Sequence, residues 1–269
     1  MIFWKTFQAA IVRKEGRNVI PFPQNRKMSF FVKLLSIVAL VLGIFIFQQI
    51  ASGLGQVVAS RFSYRSIDSN GVFMWISVHH IVQAAVALIP IILLALFARL
   101  DFGFRVGNKT LGLKFIGFAT LGIIIYMIFS YLIGYHFGLL RPYKYPMNIR
   151  NITGTLAFQL LLTGPSEEIL FRALPITILA FFMRKDASKK VPIATTIAAA
   201  LFSIAHINWY TGPFRIEYDI FQLGYAFAIG IVQGLALQKT GSIYYSMAIH
   251  SISNIISVGS GYLVFSLML

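Results

Sequence analysis

The chain has 269 residues, 58% hydrophobic and only 12% charged, roughly half the charge fraction of a soluble domain. Its 23 Lys and Arg outnumber eight Asp and Glu for a net charge of +15, and it has no cysteine. Disulfides, thiolate metal sites and thiol nucleophiles are therefore excluded. Nucleic-acid binding is set aside as well, because the basic residues fall between long apolar runs, as in loops that meet anionic lipid.

Residues 1–29 are basic and semi-polar and are expected to lie on the lipid surface as an anchor. The run behind them is too long for a signal-peptide core, so no cleavable leader is expected. About 20 apolar residues of helix cross a bilayer core. Runs of that order cover Phe30–Leu54, Val72–Ala98 and Phe115–Leu140, so 30–150 reads as a block of N-terminal transmembrane helices. The loops between them are rich in Gly, Pro and base. Two Asn-x-Thr triplets, beginning at Asn108 and Asn151, are chance sequons without a secretory context.

A core of 151–269 follows. Ile152–Met183 is one apolar stretch, about 48 Å long as a straight helix and too long for the bilayer core. Gly164-Pro165 interrupts it. Proline lacks a donor and disfavours helix in the preceding residue, so a break or kink is expected there, with a new helix near Ser166 and acid in its first turn. Further spans are Val191–Ile207, Ile220–Leu237 and Ile243–Val258, with an aromatic loop up to Tyr218. Gly230-x-x-x-Gly234 suits close helix packing. The tail Tyr262–Leu269 is too short to cross alone. The expected fold is all-α, a polytopic transmembrane helical bundle of seven or eight spans. With the N-terminus inside and seven spans, 16 basic residues fall inside and six outside, as the positive-inside rule asks.

Six of the eight acids lie in loops or at span edges; the other two are Glu167 and Glu168. A charge inside a span costs about 2.5–3.5 kcal/mol on insertion scales, and function is the default reading. Arg172 lies four residues after Glu168, so the two share a helix face and can neutralise each other. Glu167 points about 100° away. It is either a protonated member of a buried network or a working group. His206 and His250 lie in or near later spans, and Asn254 shares a face with His250. A carboxylate, two imidazoles and an amide are what peptide hydrolysis by activated water needs. His79-His80 sits mid-span with no acid beside it and reads as packing; His136 reads as interfacial.

Glu167-Glu168-x-x-x-Arg172, Phe202-x-x-x-His206 and His250-x-x-x-Asn254, in that order and each in an apolar segment, resemble the CPBP family. That family holds the type II CAAX prenyl endopeptidases and the bacterial Abi-type proteins linked to bacteriocin self-immunity. The resemblance covers about Thr155–Ser257. Ala173 replaces the glycine that usually follows the motif arginine.

The resemblance implies a helical intramembrane endopeptidase in a cell membrane, bacterial for the Abi-type members. Glu167 would activate water with help from His206. His250 and Asn254 would form the oxyanion hole, and Glu168 and Arg172 would hold the site, Glu168 sharing in catalysis. Glu167, His206 and His250 could also be ligands of a divalent metal such as zinc; without His-Glu-x-x-His, glutamate-driven chemistry is the leaning. The implied partners are membrane lipid and a membrane-associated peptide or protein. The rival readings are a non-catalytic immunity or scaffold protein and a proton-coupled transporter.

Overall fold

In lipid, a run of apolar residues satisfies its backbone by coiling into helix. The computed structural model describes residues 30–183, 193–210 and 215–268, and most of these are helical. The expected surface anchor at 1–29 and the basic loop at 184–190 lie outside the described residues.

Three long helices come first: α1 (Phe30–Ala59), α2 (Met74–Phe97) and α3 (Lys109–His136). Their outer faces are stripes of exposed apolar side chains, such as Leu42, Ile46 and Ile50 on α1 and Phe118, Leu121 and Phe129 on α3. Water would not tolerate such faces; lipid does. Asp68 prepares the start of α2, its carboxylate accepting from the N–H groups of Val72, Phe73 and Met74 at 2.7–2.9 Å. These are donors that a helix N-terminus leaves without a partner. The two sequons serve the fold. Asn108 caps α3 by accepting from Leu111 N at 3.0 Å, and Asn151 is fully buried.

Residues 149–183 then form a continuous helical rod. Its parts are α4 (Ile149–Phe158), a π turn (Gln159–Thr163), α5 (Gly164–Glu168), a second π turn (Ile169–Ala173) and α6 (Leu174–Met183). Of the break or kink expected at Gly164-Pro165, the break does not occur: the helix passes through, with a π turn just ahead. Pro165 has no N–H for the carbonyl a turn earlier, and its ring crowds that carbonyl. A π turn just ahead widens the coil and moves its bonds to i→i−5. The Ser166 hydroxyl then donates to Leu162 O at 2.7 Å, with Thr163 O at 3.1 Å. Gly164 lets α9 come close, since a Cβ there would lie 2.7 Å from Met247 O.

The rod is followed by α7 (Ile193–Ile204), a two-stranded antiparallel hairpin of β1 (Asn208–Tyr210) and β2 (Arg215–Glu217), α8 (Ile220–Thr240) and α9 (Ile243–Met268). The hairpin pairs Trp209 with Ile216 in register and stands where an aromatic loop is expected. α8 packs on α7 through Gly230 and Gly234, where a Cβ would meet Ala199 at 3.1 Å and Thr195 at 2.7 Å. Gly241 ends α8 in the left-handed conformation (φ 69°) that glycine adopts without steric cost. α9 continues through Gly259 and Gly261 to Met268, so the tail does not fold back as an eighth span.

Among the described residues, five helices are long and apolar enough to cross a membrane: α1, α2, α3, α8 and α9. The rod is enclosed by α2, α7, α8 and α9. Leu170, Ala173 and Leu179 in it have no exposed surface, and Gln48 of α1 reaches Leu170 O at 3.4 Å.

Candidate active site

The rod turns its two acids in different directions. Glu168 and Arg172 are wholly enclosed, with Glu168 Oε1 3.0 Å from Arg172 Nη1. The guanidinium lies 3.8 Å over the Phe202 ring centroid, and its other terminal nitrogen donates to Gln233. The self-neutralising pair expected from the spacing is thus present. The same Glu168 oxygen also lies 2.7 Å from His250 Nδ1. An arginine-paired carboxylate only accepts, so Nδ1 donates, and neutral His250 carries its lone pair on Nε2.

Glu167 looks the other way, into a polar cavity of about 220 Å³. Gln48, Gln49 and Ser52 of α1 line one side, and His79, His80 and Gln83 of α2 another. Glu167 Oε1 is 3.7 Å from His80 Nε2, and Oε2 is 3.5 Å from His250 Nε2. Both separations exceed an ordinary hydrogen bond. His80 is buried, and its Nδ1 lies 2.8 Å from Ser166 Oγ.

His206 follows the end of α7 and lines the same cavity. Its Nδ1 donates to Phe202 O at 2.9 Å, which leaves Nε2 unprotonated in the neutral ring. Among the described residues, the imidazoles within 4.0 Å of Glu167 are His80 and His250, not His206. Asn254 stands one turn beyond His250 on α9. Its amide donates to Gln159 Oε1 at 2.9 Å, which also accepts from Thr163 at 3.0 Å.

The structure therefore brings Glu167, Glu168, Arg172 and His250 together, sets His206 across a shared cavity, and ties Asn254 to the first π turn. It also adds a residue. His80 makes the packing or helix contact that sequence suggests, but it also meets an acid that its own neighbours lack, from a helix some 87 positions later. The polar side chains inside apolar helices, Gln48 and Gln49 on α1 and Gln83 one turn after His80, are the trace of this cavity in sequence.

Carboxylate and imidazole donors are of the kind zinc takes. Among the described residues, however, no group of three or more His, Cys, Asp or Glu side chains is arranged to hold a metal ion. Glu167, His206 and His250 as placed do not form a ligand shell.

Comparison with known proteins adds the family. Residues 149–256 match the family model described as type II CAAX prenyl endopeptidase Rce1-like. This part of the chain is a CPBP-family domain. No curated protein and no solved structure matches the chain. The CPBP domain begins with α4 and ends within α9, so it holds every motif residue from Glu167 to Asn254 and leaves α1–α3 outside. The family is one of proteases, and with five helices fit to span a bilayer the protein is a multi-pass membrane protein.

Proposed function

We propose that the protein is an intramembrane endopeptidase in which Glu167 activates water against a peptide bond of a membrane-associated peptide or protein. The observation that carries this reading is the Glu167 carboxylate itself. It is flanked by His80 and His250 and opens on a polar cavity within an otherwise apolar bundle. A hydrolase inside lipid needs such a wet recess, and an extended peptide backbone matches its amide-rich wall.

The chemistry follows from the donors. Water in the cavity gives a proton to Glu167 as its oxygen bonds to the carbonyl carbon. His206 offers a free Nε2 lone pair across the cavity to orient that water. The carbonyl oxygen becomes an oxyanion and needs donors. His250 can donate there only once its Nε2 takes up a proton, because the resting ring gives its one N–H to Glu168 at 2.7 Å. Asn254 has a second amide hydrogen beyond the one given to Gln159. Collapse breaks the C–N bond, and the proton on Glu167 goes to the leaving amine. Arg172 pairs with Glu168 and holds it in place.

The chain would cross the membrane seven times, the rod and α7 joining the five long helices, with the N-terminus inside. The test is mass spectrometry of membrane proteins from cells making the wild-type chain or Glu167→Gln at equal folded abundance. Fragments that appear only with wild type are expected. Full biological function in E167Q would instead point to a scaffold or immunity protein, and wild-type proton-coupled uptake in proteoliposomes without fragments to a transporter.

A further inference from the structure

His80 belongs to α2, outside the family domain, and to none of the motifs. We infer that it is a positioning residue for Glu167, holding both the backbone turn that carries the glutamate and one oxygen of its carboxylate. The catalytic consequence rests on the peptidase reading above; the contact itself does not.

The turn needs holding. Glu167 sits on α5, five residues long, between two π turns and just after a proline that removes one backbone bond. Ser166 is its anchor. A hydroxyl has one hydrogen, and Ser166 gives it to Leu162 O at 2.7 Å, a carbonyl that can only accept. At 2.8 Å the His80 ring nitrogen must then be the donor, so His80 carries its proton on Nδ1. The chain of donors runs from His80 through Ser166 to Leu162 O in the first π turn. It clamps α2 onto the turn from outside the rod. The ring is fixed further by Phe158, edge to face with centroids 5.1 Å apart.

With Nδ1 committed, the neutral ring presents a bare Nε2 to Glu167 Oε1 at 3.7 Å. His250, committed to Glu168 in the same way, presents a bare Nε2 to Glu167 Oε2 at 3.5 Å. The carboxylate is thus framed by two acceptors, and acceptors face each other stably only with a hydrogen between them. A water that donates to both Oε1 and Nε2 satisfies this on the His80 side. In this way the two imidazoles fix the carboxylate plane and one oxygen each. A glutamate side chain otherwise keeps considerable rotamer freedom. Without His80, only the His250 side remains defined.

The test separates the two jobs of the ring. His80→Asn keeps an N–H near the Nδ1 position for Ser166 and removes Nε2; His80→Gln restores a polar group near Nε2. The carboxyl band of Glu167 is isolated as the infrared difference between purified wild-type protein and E167Q in detergent. It should move in H80N and return toward wild type in H80Q, with H80N melting near the wild-type temperature. If H80N does not fold, Ser166→Ala, which unclamps the ring, must move the same band. An unmoved band overturns the inference whatever the activity. Where the E167Q comparison has yielded a cleaved protein, a synthetic peptide spanning the cut is the substrate. H80N should then lower kcat on the order of 100-fold at unchanged KM, with partial rescue in H80Q; a change in KM alone overturns the inference. A moved band with no Glu167-dependent fragments would leave His80 as the positioner and remove the peptidase reading.

Discussion

Arg172 is the largest of the described side chains with essentially no exposed surface, and its charge is answered by Glu168, Gln233 and the Phe202 ring. Removing one member of a buried ion pair strands the other, at a cost of about 3–5 kcal/mol, whereas removing both can be close to neutral. Arg172→Met should therefore lower the thermal midpoint in detergent sharply, and Glu168→Gln with Arg172→Met should recover much of the loss. If the double variant is no more stable than R172M, the pair is not what stabilises the rod. This pair is legible in sequence because helix geometry alone brings positions four apart together. The His80–Glu167 contact is not, because it depends on how α2 docks against the rod, which no local spacing encodes. Nor does spacing alone show that Asn254 bonds Gln159 through its amide.

At the scale of elements, the apolar runs mark the long helices to within several residues, and the departures have local causes. Pro165 suggests a break or kink because it forfeits a bond, yet a π turn just ahead of it carries the helix through. Gly259 and Gly261 suggest an end to α9, yet Tyr131 and Tyr143 bond its carbonyls at Ser257 and Val258, at 3.5 and 3.1 Å, and the helix continues. Asp68 shows what a cap does for an element. Burial pushes its carboxyl upward, but the N–H groups of Met74, Val72, Phe73 and Gly71 outweigh this and hold it below the ordinary aspartate range. A carboxyl lowered on folding stabilises the fold above its unfolded value, about 3.9, and that contribution is lost as pH falls through the lower folded value. Asp68→Asn should reduce the thermal midpoint at pH 7, by an amount equivalent to about 1–2 kcal/mol. The gap between the two proteins should narrow below about pH 4. A gap that is the same at pH 3 and pH 7 would mean that the charge on Asp68 is not what caps α2.

At the scale of the whole molecule, the loops sort themselves onto two ends. Asn108 N donates to Thr240 O at 2.8 Å and Ile243 N to Gly103 O at 2.9 Å, so the α2–α3 connection meets the α8–α9 turn. At the other end Asn151 donates to Asn70 at 3.1 Å, joining the α1–α2 connection to the start of the rod. This pairing matches the alternation that the basic residues suggest, with the α2–α3 and α8–α9 connections on the inner side. It also explains how helices outside the family domain come to wall its cavity: α2 starts at the end where the rod starts and runs past Glu167 within its second turn, at His80. The chain has no cysteine, so single substitutions report on sidedness without interference. Val106→Cys and Lys239→Cys, both exposed, should be shielded from a membrane-impermeant thiol reagent added to intact cells and react only after permeabilisation. Ser66→Cys and Lys144→Cys, exposed at the opposite end, should react at once. Reversal of all four would invert the orientation and keep the bundle. Disagreement between Val106→Cys and Lys239→Cys would contradict the loop contacts themselves, and with them the packing that sets α2 against the rod.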